Sequence, residues 1–162
     1  MSRAFVMAGF MNEVSTGRNS LAIGTLCCLL AFGAAADEMH VALVKSVTGS
    51  VGVVRDGQEL IAQRGMRLLK SDRILAHEAA TAGIVFKDGT LLSVGPGSDI
   101  AIRDYAFEPG RNDFAFALYM AKGTAVYSSG KIGKLAPESV DISTPRATVG
   151  VRGTRFIITA EQ

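Results

Sequence analysis

From Val41 onward the chain is written in short apolar runs of four to seven residues, cut by glycine or by Asp-Gly. Runs of that length bounded by turn residues suit strands better than helices. Alternation points the same way: Val51 and Val53 stand against Gly52 and Val54, and Ile100 and Ile102 against Ala101 and Arg103. The pattern predicts strands over Val41–Ser46, Ser50–Arg55, Gln58–Ala62, Arg73–Ala76, Ala82–Phe86 and Thr90–Val94. Further strands are predicted over Ser98–Ile102, Phe114–Met120, Thr124–Ser128, Val140–Thr144, Ala147–Val151 and Phe156–Thr159. Phe114–Lys122 has a helical composition, but Phe114, Phe116 and Leu118 alternate, which favours strand. The fold class is all-β. A strand every ~8–12 residues fits a sandwich, a barrel or a β-solenoid alike.

The breaks have their own chemistry. Asp56-Gly57 and Asp88-Gly89 each lie between strand-like runs. Aspartate tolerates the left-handed region and glycine enters it freely, so both pairs suit two-residue hairpin turns. Gly95-Pro96-Gly97 is a stop of another kind, because proline has no N–H to give a ladder. Glu108–Asp113 reads as the longest exposed loop.

The N-terminus carries an export signal in three parts. Met1–Asn19 holds Arg3 and Arg18 against Glu13, and an apolar run then extends from Leu21 to Ala36. It closes on Ala34-Ala35-Ala36 before Asp37-Glu38. Small residues at the −3 and −1 positions place cleavage after Ala36. A retained anchor is the alternative, but the 16-residue run is shorter than the roughly 20 that span a bilayer. Leu26 before Cys27 lacks the small residue a lipoprotein signal needs, and Met7 and Met11 are alternative starts. The organisation expected is a signal peptide over 1–36 and one periplasmic domain over 37–162, with the signal segment as the sole membrane element.

Both cysteines, Cys27 and Cys28, fall inside that signal. The domain beyond it must therefore hold by burial, without disulfides, thiol catalysis or cysteine-bound metal. Its 126 residues suffice for one core, and its 15 basic and 14 acidic residues leave a net charge of +1. That balance gives no electrostatic case for nucleic acid, and no basic block marks a membrane surface.

Chemistry-bearing residues are sparse. His40 lies near the new N-terminus and His77 in a polar linker, and their spacing makes no metal pair. A Gly-x-Ser-x-Gly elbow is absent, and Ser93 and Ser128-Ser129 read as strand ends and turns. Asp72, Asp88, Asp99, Asp104, Asp113 and Asp141 are scattered, whereas a glycosidase needs two carboxylates about 5–10 Å apart. The Asp88-Gly89-Thr90 and Gly97-Ser98-Asp99 turns are too thin in oxygen ligands for calcium. Gly130–Lys134 lacks the frame of a phosphate loop. The reading is non-enzymatic, with no catalytic, cofactor or metal residues assigned.

The densest segment is Ile142–Phe156. Thr144-Pro145 is extended, and Gly150 and Gly153 bracket Val151-Arg152 ahead of Thr154. Arg146, Arg152 and Arg155 are either a basic edge for an acidic partner or structural arginines, solvated or paired with Asp88 or Asp99.

This segment resembles the signature of the FecR-like domain family. The resemblance runs from about Val44 to Thr159: an opening hairpin at Val51–Gly57, then Gly65-Met66 with Ser71–Ile74, then a central pattern over Ala82–Ser98. Its motif residues are Asp88, Gly89, Thr90, Gly95, Pro96, Gly97, Thr144, Pro145, Gly150, Val151, Arg152, Gly153 and Thr154. The resemblance implies a periplasmic β domain, a short β-solenoid or a distorted sandwich, in proteins that relay transport of iron chelates. With only Met1–Asn19 ahead of the apolar run, the expectation is a stand-alone exported version without an inner sigma-binding segment. Its role is then a binding and signalling module for a protein or cell-envelope component. Alternatives are a self-assembling envelope protein and a carbohydrate-acting enzyme.

Overall fold

The computed structural model describes residues 40–150 and 155–161. The signal expected over 1–36, and Val151–Thr154 of the C-terminal motif, lie outside the described residues. Alternation sets the strands: along Thr81–Phe86, Ala82, Ile84 and Phe86 are buried while Thr81 and Val85 face outward. In chain order the strands are β1 (His40–Thr48), β2 (Val51–Arg55), β3 (Gln58–Ile61), β4 (Arg67–Leu69), β5 (Arg73–Ala76) and β6 (Thr81–Phe86). They continue as β7 (Leu91–Val94), β8 (Asp99–Glu108), β9 (Asp113–Ser128), β10 (Val140–Ser143), β11 (Thr148–Gly150) and β12 (Arg155–Ala160). One α-helical turn, α1 (Ile132–Leu135), follows β9.

The strands form one curled antiparallel half-barrel, the distorted form of the all-β fold expected. Its first half runs β4-β1-β6-β7-β9-β12, and its second half runs β3-β2-β5-β8-β9-β10-β11. The 16-residue β9 serves both. Its Phe116–Tyr119 pairs with β10, the one parallel ladder among the described strands, and its Gly123–Ser128 pairs with β12. Among the described residues the chain passes between the halves repeatedly, through the short segments 49–50, 62–66, 70–72, 77–80 and 95–98.

Sequence reading and structure differ at four places. The two strands expected over Phe114–Met120 and Thr124–Ser128 are one, because Gly123 (φ +100°) bends the backbone without ending the ladder. The strand from Ser98 runs on to Glu108, where the turn Pro109–Arg111 closes a long hairpin. Arg67–Leu69 forms an unanticipated strand whose Leu68 is fully buried. Asp56-Gly57 is a two-residue turn with both φ positive, but Asp88-Gly89 is not. There only Gly89 is left-handed, in a wider loop with Phe86 N–H on the Thr90 carbonyl.

The two halves enclose one core. An aromatic chain crosses it, with Phe86–Tyr105 ring centroids 5.5 Å apart, Phe86–Phe116 4.8 Å, Phe116–Tyr127 5.6 Å and Tyr127–Phe156 5.0 Å. Contacts of this kind add about 0.5–1.5 kcal/mol each beyond area burial. That matters in a core without a disulfide.

Candidate functional site

The Asp-Gly-Thr of the β6–β7 loop builds a buried polar hub. Asp88 and Thr90 are fully buried. The Asp88 carboxylate accepts from Thr90 Oγ1 at 2.7 Å, Thr90 N–H at 3.2 Å, Ile132 N–H at 3.2 Å and the Tyr105 hydroxyl at 3.3 Å. Thr90 Oγ1 accepts from Gly130 N–H at 3.1 Å, and Asp88 N–H donates to Tyr105 Oη at 2.8 Å. Lys131 N–H closes on the Asp88 carbonyl. The loop thus holds β8 and the segment leading into α1. Gly130 must be glycine, since a Cβ there would strike the Thr90 amide and the Asp88 carboxylate. Burial, then the Asp88 charge, raises the Tyr105 phenol above its ordinary value. Burial raises Tyr127 as well; its hydroxyl lies near Ser129 and Thr90 but meets no partner in hydrogen-bonding geometry.

Three other carboxylates are also engaged. Buried Asp72 takes a two-pronged bond from Arg55, at 2.8 and 2.7 Å, and one from Leu69 N–H at 2.7 Å. Asp99 pairs with Arg73, with Nε at 2.6 Å. Both arginines are held above their ordinary range by hydrogen bonds to these carboxylates. Lys70 Nζ sits 2.6 Å from Asp104 and lowers that carboxyl. Asp88 and Asp99 therefore have partners other than the C-terminal arginines, and Arg146 and Arg155 are exposed. His77 is exposed, 3.4 Å from Glu59, and His40 opens β1 with its Nδ1 buried and unpartnered. Among the described residues no three His, Cys, Asp or Glu side chains converge on a metal position.

Gly95-Pro96-Gly97-Ser98 makes one corner between the halves. Gly95 N–H bonds the Thr124 carbonyl, and Gly97 is left-handed. Ser98 Oγ accepts from Thr124 N–H and donates to its carbonyl, both at 3.0 Å. Thr144 and Pro145 form the β10–β11 turn, with Thr144 Oγ1 accepting from Ala147 N–H at 3.1 Å, and Gly150 ends β11 opposite Asp141. The structure does not bring these three motif groups to one point: each stabilises a turn or corner.

A different surface stands out, and it was not anticipated. On the outer face of the first half, register places Arg67, Leu43, Val85, Leu91, Ser128 and Arg155 in one row across six strands. Beside it lie Ser46, Gly83, Ser93, Val126 and Ile157. Leu43, Leu91 and Ile157 are exposed by 36, 40 and 70 %. None of these outward positions is acidic. A shallow groove of about 280 Å³ runs over Gly83 between Ser46, Thr81, Ser93, Thr124 and Val126. The outer face of the second half differs, carrying Glu59, Arg73, Asp99, Asp104 and Asp141. The signal lay in the odd positions of β1, β6, β7 and β12, but their alignment needs the register, which sequence does not give.

A family model described as FecR protein matches residues 72–162. The chain belongs to the FecR family. FecR membership suggests a signalling or regulatory module. The FecR match begins at Asp72, so β1–β4 precede it, although β1 and β4 complete one half and β2 and β3 the other. The hub, the corner and the Thr144 turn all fall inside the FecR match. No curated protein and no solved structure matches the chain.

Proposed function

We propose that this FecR protein works, after export to the periplasm, as a non-enzymatic binding and signalling module for a protein or cell-envelope component. The observation that carries the reading is the exposed, acid-free aliphatic face of the first half. A sheet face of this kind finds its stable place against another layer, and contiguous apolar surface rimmed by polar residues marks interaction sites. Asp72, Asp88, Asp99 and Asp104 support it too, since each is taken up in a hydrogen bond or ion pair that holds strands or turns together. Crosslinking in periplasm followed by affinity capture tests the role: a specific partner above background is expected, and none would remove the basis for it.

A second reading has its own observation. Among the described residues β3 pairs only with β2 and leaves Leu60 and Ile61 exposed, Ile61 by 80 %. An apolar edge strand is a template for pairing with another copy. That reading predicts oligomers growing with concentration in light scattering, and a monomer at high concentration counts against it.

A further inference from the structure

We propose that the outer face of the β4-β1-β6-β7-β9-β12 half docks an amphipathic segment of a partner protein whose apolar residues are flanked by acids. This inference rests on the binding role proposed above and assigns its surface and the chemistry of the partner.

The surface is laid out in rows. Leu43, Val85 and Leu91 form an aliphatic line across β1, β6 and β7, and Val126 and Ile157 continue it one row over on β9 and β12. At ~4.8 Å per strand the face is roughly 24 Å wide from β4 to β12, room for a helix or an extended segment laid across it. Between the aliphatic line and the threonines Thr81 and Thr124, Gly83 floors the groove and the Ser46 hydroxyl lies over it. The hydroxyls of Ser46 and Ser93 line the groove, so the polar edges of an occupant can be satisfied.

Charge selects the occupant. Exposed Arg155 ends the row on β12, exposed Lys45 stands at the β1 bulge, and the outward strand positions between them carry no carboxylate. A second copy applied face to face would set these cations against themselves, which disfavours self-association through this face. A lipid surface is a poorer match: of the large aliphatic residues only Ile157 is more than half exposed, while Leu43 and Leu91 are less so and hydroxyls line the groove, whereas membrane-seated faces project several large apolar groups. A protein segment with Asp or Glu at its margins satisfies both the aliphatic line and the cations.

The test uses the full chain in the cells that export it. A benzophenone photo-crosslinker is placed at Ser93, on this face, and separately at Thr148, on the outer face of the other half. The expected result is a protein adduct from Ser93 whose crosslinked peptide is apolar with flanking acids. Its yield is expected to fall about fivefold or more in the Lys45→Glu, Arg155→Glu double variant, whose positions are exposed and whose unfolding midpoint is expected to match wild type. Ser93 adducts that join two copies of this chain would overturn the inference. So would adducts to lipid, supported by flotation of the purified protein with phosphatidylglycerol vesicles, or a yield indifferent to the charge reversal. Adducts from Thr148 alone would leave the binding role standing and this surface wrong. Adducts from neither position would remove both.

Discussion

Asp88 shows how far one residue was legible. The sequence placed Asp88-Gly89-Thr90 in a turn and within a family motif, but turn chemistry alone did not reveal a carboxylate with four donors. Those donors come from positions 2, 17 and 44 residues away, which only the tertiary fold assembles. Asp88→Ala strands the Thr90 and Ile132 amides in the core. With about 1–3 kcal/mol for each unsatisfied buried group, a loss of ~3 kcal/mol or more is expected in urea unfolding. The two buried tyrosines should separate by sign. Tyr105→Phe removes two hydrogen bonds and costs about 1–3 kcal/mol at neutral pH. Tyr127→Phe removes a hydroxyl without a bonded partner and is expected to be neutral or stabilising. The folded Tyr105 phenol titrates above its unfolded value of ~10. Its contribution is thus complete below pH ~10 and is lost as pH rises through the folded value. The alkaline limb of the stability curve should be shallower in Tyr105→Phe than in the wild type.

Elements were the most legible scale, because alternation and turn residues are local. Gln58–Ile61, Arg73–Ala76 and Thr81–Phe86 fall within a residue or so of expectation. The misses share a cause: β4 is only three residues long, and Gly123 looks like a stop when read without its partner strand. Gly123 sits at φ +100°, and a Cβ there would collide with Ser98. Backbone strain and overpacking of about 1–3 kcal/mol each put Gly123→Ala at ~2–5 kcal/mol, read from the urea midpoint. The ion pair between the end of β2 and the β4–β5 turn was equally hidden, since Arg55 and Asp72 are 17 residues apart. Asp72 is almost wholly buried, so Arg55→Met leaves an uncompensated charge and should cost about 3–5 kcal/mol. A loss below ~1 kcal/mol would mean that water reaches Asp72 freely.

At the scale of the molecule, the all-β class and the family were readable from patterning and motif. The division of labour between surfaces was not. Motif residues such as Asp88, Thr90, Gly95 and Thr144 drew attention as candidate contacts, and they hold turns and corners. Of the residues best placed for a partner, Arg155 stood in the C-terminal segment as one of three arginines that could form a basic edge, whereas Leu43, Leu91 and Ile157 drew no functional reading and gain meaning only from register. The most direct test separates the two groups in one variant. Leu91→Asp places a charge on an exposed position of the aliphatic line and leaves the hub untouched. Its thermal unfolding midpoint should lie within about 2 °C of wild type, as for surface substitutions generally, while crosslinking at Ser93 to a partner falls to background. An unchanged crosslink in a fully folded Leu91→Asp protein would contradict the account.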